Sequence, residues 1–256
     1  MAAVGQCLTF AYDGNFRFDV DDPAWREFFE RRDVLPVRYD DMAKLTEALT
    51  ASVQTVSYLP AANYFYIRAS PSYEPLASAV YAAQNILSLS SLLVVRASSE
   101  VTELAQLRGA SLGYAHEYCT TSYFAPALLL SKNGYSIADF FGQLTKVPAY
   151  EGQIDAVVAG QIDATMVQED VWSKHAAYAQ TTRVIARKVN LPTPLVIVDA
   201  NADADLKRDL SEVVFSHRPA ITAETLFAGF APYQREQVGD FLAASERALP
   251  ALTPAA

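Results

Sequence analysis

The chain has 256 residues, 51% of them apolar, which is enough for one large core or two of ordinary size. Its 20 Lys and Arg stand against 29 Asp and Glu, giving a net charge of −9 and a pI near 4.8. No basic run or aromatic-interleaved basic stripe offsets that charge, so nucleic acid and anionic membrane surfaces are not expected as partners.

The N-terminus, Met1-Ala2-Ala3-Val4-Gly5-Gln6-Cys7, lacks a basic start and an apolar run. No export signal is read there, and Gln6 before Cys7 speaks against lipid attachment. A removed leader would put the protein in the periplasm or outside the cell; a full-length chain would be cytoplasmic. Leu8 to Tyr12 reads as a first strand, and Asp22-Pro23 sets a capping carboxylate before a proline suited to a first helical position, with the helix running to Arg32. Val34 to Arg38 is a second strand, and Asp40-Asp41 caps a helix from Met42 to about Ala51, whose Met42, Leu45, Ala48 and Leu49 recur at helical spacing. Val53 to Tyr58 is a third strand ending at Pro60, before the aromatic segment Tyr64-Phe65-Tyr66.

This βαβαβ order predicts a parallel sheet covered by helices, with ligands near the carboxyl ends of the strands. Ile86 to Arg96 and Leu195 to Asp199 read as long connecting strands, and the former is too short and too serine-rich to span a membrane. Between them lies a second series. A strand at Ser111 to Tyr114 leads to a helix ending at Lys132-Asn133-Gly134. A helix from Glu151 to Ala159, a short strand from Ala164 to Val167, a helix from Val171 to Ala179 and a strand at Val184 to Ala186 follow. Asp203-Ala204-Asp205 caps a helix from Leu206 to about Phe215, and the terminal helix lies between Pro232 and Leu249. The predicted fold is α/β with two lobes and two chain crossings: 1–88 with 194–256 as a discontinuous first lobe, and 89–193 inserted as the second.

The stretch Tyr118-Cys119-Thr120-Thr121-Ser122-Tyr123 carries the functional signal. It stands between a strand and a helix, where the first backbone N–H groups have no intrahelical partner and the macrodipole favours an anion. Thr120, Thr121 and Ser122 are read as supplying both the cap and hydroxyl donors. A Ser or Thr before a helix is ordinarily only a cap, so the neighbouring sequence has to decide.

The order of elements resembles the type II periplasmic-binding-protein fold, and within it the phosphate/phosphite/phosphonate-binding family of ABC-transporter solute receptors. The resemblance rests on Tyr39-Asp40-Asp41-Met42, Leu107-Arg108-Gly109, Thr120-Thr121-Ser122-Tyr123 and Gly160-Gln161-Ile162-Asp163-Ala164. It implies that Thr120 and Thr121 hold the anion, that Tyr58 is the aromatic at the end of the third strand, and that Glu151 is the family's acidic residue. The family turn is typically Ser-Thr-Ser-Gly, so Cys119 stands where serine is usual. Tyr150 stands where histidine is frequent, and Leu89, beside Ser90 and Ser91, where a tyrosine is expected.

The expected ligand-binding set is therefore Tyr58, Cys119, Thr120, Thr121, Ser122, Tyr123, Tyr150 and Glu151. The implied function is capture of a small oxyanion, phosphate, phosphonate or related, between two lobes, with an ABC-transporter permease as partner. No cofactor is called for, and His116, His175 and His217 are too scattered to suggest a metal. The alternative is a cytoplasmic enzyme on the same fold, acting on a small carboxylate or aromatic substrate. Cys119 near His116 would then form a nucleophile and base, provided the chain turns between them.

Overall fold

The computed structural model describes residues 8–14, 19–51, 55–69, 72–82, 86–219 and 226–250. The N-terminal stretch Met1 to Cys7, and Val53, read above as a strand start, lie outside them. The described chain forms two compact units, Met1–Leu87 with Thr193–Arg235 and Ser88–Pro192 with Glu236–Ala255.

The first unit begins with β1 (Leu8–Asp13), α1 (Pro23–Arg32), β2 (Val34–Tyr39), α2 (Met42–Thr50), β3 (Val56–Leu59) and α3 (Ala61–Ile67). The caps are those read from sequence: the Asp22 side chain accepts from Ala24 N–H at 2.9 Å and the Asp41 side chain from Ala43 N–H at 2.9 Å. β1 pairs in parallel with both β2 and β3, as the βαβαβ order predicts. The sheet then continues antiparallel through β4 (Tyr73–Tyr81), a strand that sequence did not show.

The second unit opens with β5 (Ser88–Arg96), a short 3-10 turn at Leu104–Leu107 and β6 (Ser111–Tyr114). A wide helical turn at Thr120–Phe124 runs directly into α4 (Ala125–Ser131). Gly134, at φ +76°, follows α4, because only glycine takes that left-handed conformation without cost. Then come α5 (Ile137–Phe140), β7 (Gln143–Lys146), α6 (Tyr150–Val158), β8 (Ala164–Gln168), α7 (Glu169–Ser173), α8 (Ala176–Thr181) and β9 (Thr182–Pro192). The helix expected over Val171 to Ala179 is thus two short ones, and the strand expected at Val184 to Ala186 is eleven residues long.

The chain returns through β10 (Leu195–Asp199), α9 (Ala204–Ser216) and β11 (Phe227–Pro232), all in the first unit, and ends with α10 (Arg235–Ala248). α10 groups with the second unit, where its Phe241 ring lies 5.6 Å from Phe124 and Gln237 donates to Asn190. The sequence alone assigns everything from 194 onward to the first lobe, whereas Glu236 onward belongs to the second unit.

The first sheet has the order β11-β4-β10-β3-β1-β2 and the second β7-β6-β8-β5-β9. Aromatic packing dominates the first core: Trp25 lies 5.2 Å from Phe10 and edge-on to Phe28 and Phe230. Each such side chain, fully buried, contributes roughly 1.5–3 kcal/mol. In the second sheet β6 and β8 run parallel, so the turn after β6 and the start of α7 lie at the carboxyl ends of these strands.

Candidate functional site

The turn after β6 is held from three sides. Cys119 is its N-cap, with Sγ accepting from Ser122 N–H at 3.3 Å. The hydroxyl of Ser122 accepts from Ala115 N–H at 3.0 Å and so ties the turn back to the end of β6. The cap expected from the hydroxyls therefore comes from the thiol, because the Ser122 side chain is turned toward Ala115. Thr120, Thr121 and Ser122 are all buried.

Tyr150, the first residue of α6, reaches the turn through its hydroxyl, which hydrogen-bonds Thr121 Oγ1 and lies 3.4 Å from Cys119 Sγ. Two of the positions at which the chain departs from the resembled family, 119 and 150, thus touch each other. Burial first, then Cys119, pushes the Tyr150 hydroxyl well above the ordinary tyrosine value, with Asp170 adding to it and the Thr121 bond opposing. Tyr150 is therefore a neutral hydrogen-bond donor or acceptor through the physiological range.

Beside the turn, the Tyr123 ring lies tilted against that of Tyr114 at 5.3 Å, and the Tyr114 hydroxyl donates to Glu117 Oε1 at 2.8 Å. Burial and then Glu117 push the Tyr114 hydroxyl up to about 12. Lys146 lies 3.6 Å from the other oxygen of Glu117, so the carboxylate adjoining the turn has a cationic partner.

The remaining expected residues are spread out. Glu151 is exposed in the first turn of α6. Tyr58 belongs to the first unit, where its ring meets Phe230 at 5.6 Å and Phe227 at 6.4 Å within the aromatic core. Leu89 is buried in β5. The structure thus brings Cys119, Thr120, Thr121, Ser122, Tyr123 and Tyr150 together in the second unit.

Sequence reasoning passed over Ser91, whose hydroxyl donates to the Thr121 carbonyl at 2.9 Å. Its only signal was its place as the last serine of β5 before the apolar run Leu92 to Val95. The Cys119 thiol meets the hydroxyls of Thr121 and Tyr150 and the Ser122 N–H, and the chain turns just before it, Cys119 N–H bonding His116 C=O at 3.0 Å. Among the described residues no group of three His, Cys, Asp or Glu is arranged to hold a metal, and no helix is long and apolar enough to cross a membrane.

A cavity of about 340 Å³ lies at the other end of the second sheet, bordered by Arg96, Arg108 and Asp163 over an apolar floor of Leu107, Val157 and Ile162. It shares no residue with the hydroxyl turn.

A two-sheet α/β fold with a hydroxyl-lined turn at the carboxyl end of β6 invites comparison with solute receptors. The sequence profile of the family described as "ABC transporter, phosphonate, periplasmic substrate-binding protein" matches residues 30–237. The chain belongs to this family. Membership implies a small ligand and association with an ABC transporter. No curated protein matches the chain significantly.

Among solved structures, XAC2383 from Xanthomonas citri bound to ATP is 16% identical with a TM-score of 0.81, over 96% of this chain and 98% of that one. A binding protein component of an ABC phosphonate transporter from Pseudomonas aeruginosa is 16% identical with a TM-score of 0.70, over 96% and 89%. PhnD1 from Prochlorococcus marinus in complex with methylphosphonate is 12% identical with a TM-score of 0.70, over 96% and 98%. At these identities the likeness shows the periplasmic-binding-protein fold, with its two lobes and two mixed sheets.

Proposed function

We propose that this family member captures a small oxyanion, phosphate, phosphonate or a related anion, between its two lobes and delivers it to an ABC transporter. The turn Cys119 to Tyr123 would be the anion-holding element, with Tyr150 and Glu151 as further ligand contacts. The observation that carries the reading is the clustering of buried hydroxyls at a helix start: Thr120, Thr121 and Ser122, with Tyr150 against Thr121. Affinity would come from N–H and O–H donors in a desolvated setting rather than from side-chain cations. Because Tyr150 stays protonated, it can donate to Thr121 and leave the threonine's own hydrogen for the ligand.

The test is calorimetric titration of wild type and Thr120→Ala/Thr121→Ala with phosphate, methylphosphonate, a sulfonate, a carboxylate and ATP. The panel includes the ligands named for the Prochlorococcus and Xanthomonas proteins. Each lost donor to a charged acceptor costs on the order of 1.5–3 kcal/mol, so the double variant should bind at least tenfold more weakly with an unchanged far-UV spectrum. Unchanged affinity would move the ligand elsewhere, with the cavity bordered by Arg96 and Arg108 the next place to look.

A further inference from the structure

The helix that carries the hydroxyl turn starts with a wider pitch than it continues. Phe124 N–H reaches back five residues to the Cys119 carbonyl at 3.1 Å, and Ala125 N–H reaches five residues to Thr120. In that register the donor owed to the Thr121 carbonyl is the N–H of residue 126. Residue 126 is Pro126, which has none. A buried carbonyl without a donor is costly, and Thr121 is only 2% exposed.

The missing donor comes from another element. Ser91, on β5, is 0% exposed, and its hydroxyl donates to the Thr121 carbonyl at 2.9 Å while lying 3.0 Å from the Val167 carbonyl on β8. Sheet pairing does not need that hydroxyl, because β5 and β8 already pair through their backbones from Ser91 to Val95. Its neighbours Leu92, Leu93, Val94 and Val95 show that an apolar side chain suits this strand.

We infer that Ser91 is a positioning residue for the hydroxyl turn, supplying the hydrogen bond that Pro126 withholds and so fixing the wide pitch that orients Thr120 and Thr121. Its functional consequence rests on the reading of that turn as the anion-holding element; the coupling between Ser91 and Pro126 does not. Widened turns of this kind recur at functional sites because they re-aim side chains at the start of a helix.

The coupling makes a sharp expectation. Pro126→Ala restores an N–H at the position from which it can serve the Thr121 carbonyl, so the need for Ser91 falls. Wild type, Ser91→Ala, Pro126→Ala and the double variant are compared by denaturant unfolding. With Pro126 present, Ser91→Ala should lower the folded-to-unfolded ratio about tenfold; with Ala at 126 it should lower it less than about threefold.

Amide exchange across Thr120 to Phe124 gives a readout that simple core filling would not move. It should quicken in Ser91→Ala and return to the Pro126→Ala level in the double variant. Affinity for methylphosphonate, measured well below the unfolding midpoint, should follow the same order.

Equal losses in the two backgrounds, with exchange at the turn unchanged, would overturn the inference and leave Ser91 as packing. If Thr120→Ala/Thr121→Ala leaves anion affinity untouched, the reading of the turn fails, while the unfolding and exchange cycles still decide the Ser91–Pro126 coupling.

Discussion

Glu117 shows how a residue beside the turn can be tuned without touching it. Burial pushes its carboxyl up, but its own backbone N–H, the Tyr114 hydroxyl and Lys146 outweigh burial and hold it below the usual carboxylate range. A carboxylate whose folded value lies below its unfolded one stabilises the fold above the unfolded value, and that contribution is lost as pH falls through the folded value. Wild type should therefore melt above Glu117→Gln near neutrality, with the gap closing as pH drops below about 4. The side chain is 40% exposed, so screening keeps the gap below about 1 kcal/mol. Parallel thermal melts from about pH 3 to 7 check it, and a constant gap would show that the bonds to Tyr114 and Lys146 do not depend on the charge.

At the scale of elements, the N-terminal caps carry measurable stability. Asp22 both accepts from Ala24 N–H and lies 3.4 Å from His217 Nδ1. Asp22→Ala should cost about 1 kcal/mol in the denaturant midpoint, and Asp22→Asn, which keeps the cap acceptor, clearly less. Capping was also what made the fold legible: Asp22-Pro23 and Asp40-Asp41 mark helix starts that the structure places at the same residues, while the helix read from Leu206 after Asp203-Ala204-Asp205 begins two residues earlier, at Ala204, with Asp203 as its cap. The strands that escaped notice did so for physical reasons. β4 contains Pro75, which argues against a strand, yet Pro75 is tolerated because β11 pairs only with the portion of β4 from Ala77 onward. β7, at the sheet edge, has exposed ends at Gln143 and Lys146 and half-buried Leu144 and Thr145 between them, so its sequence carries no clear alternation.

The candidate site was legible in part for the same reason. A hydroxyl run between a strand and a helix is visible locally. The Cys119 cap depends on where Ser122 turns, the Tyr150 contact spans 29 residues and the Ser91 bond 30, and no local pattern encodes these.

For the whole molecule, the net charge of −9 opposes the arrival of an anion even where local donors welcome it. Screening that repulsion should raise the association rate. Stopped-flow binding of methylphosphonate should therefore speed up as salt rises from about 10 to 150 mM, over which the screening length falls from roughly 30 to 8 Å. A rate that falls with salt would mean that a local cationic field governs capture, and would favour the cavity beside Arg96 and Arg108 over the hydroxyl turn.

β9 has a consequence for how this protein behaves in a crowded solution. Among the described residues it is one of the two edge strands of the second sheet, paired with β5, with Val184 37% and Val189 50% exposed. An edge strand of this length is a template on which another chain can add itself, the first step toward fibrous aggregates. Arg183, Arg187 and Lys188 are spaced along it, and the pairing with β5 shifts register twice. A copy docking edge to edge would have to bring those cations against their own kind and match an irregular ladder. The strand thus protects itself by charge and by shape, and of the two only the charge weakens in concentrated salt.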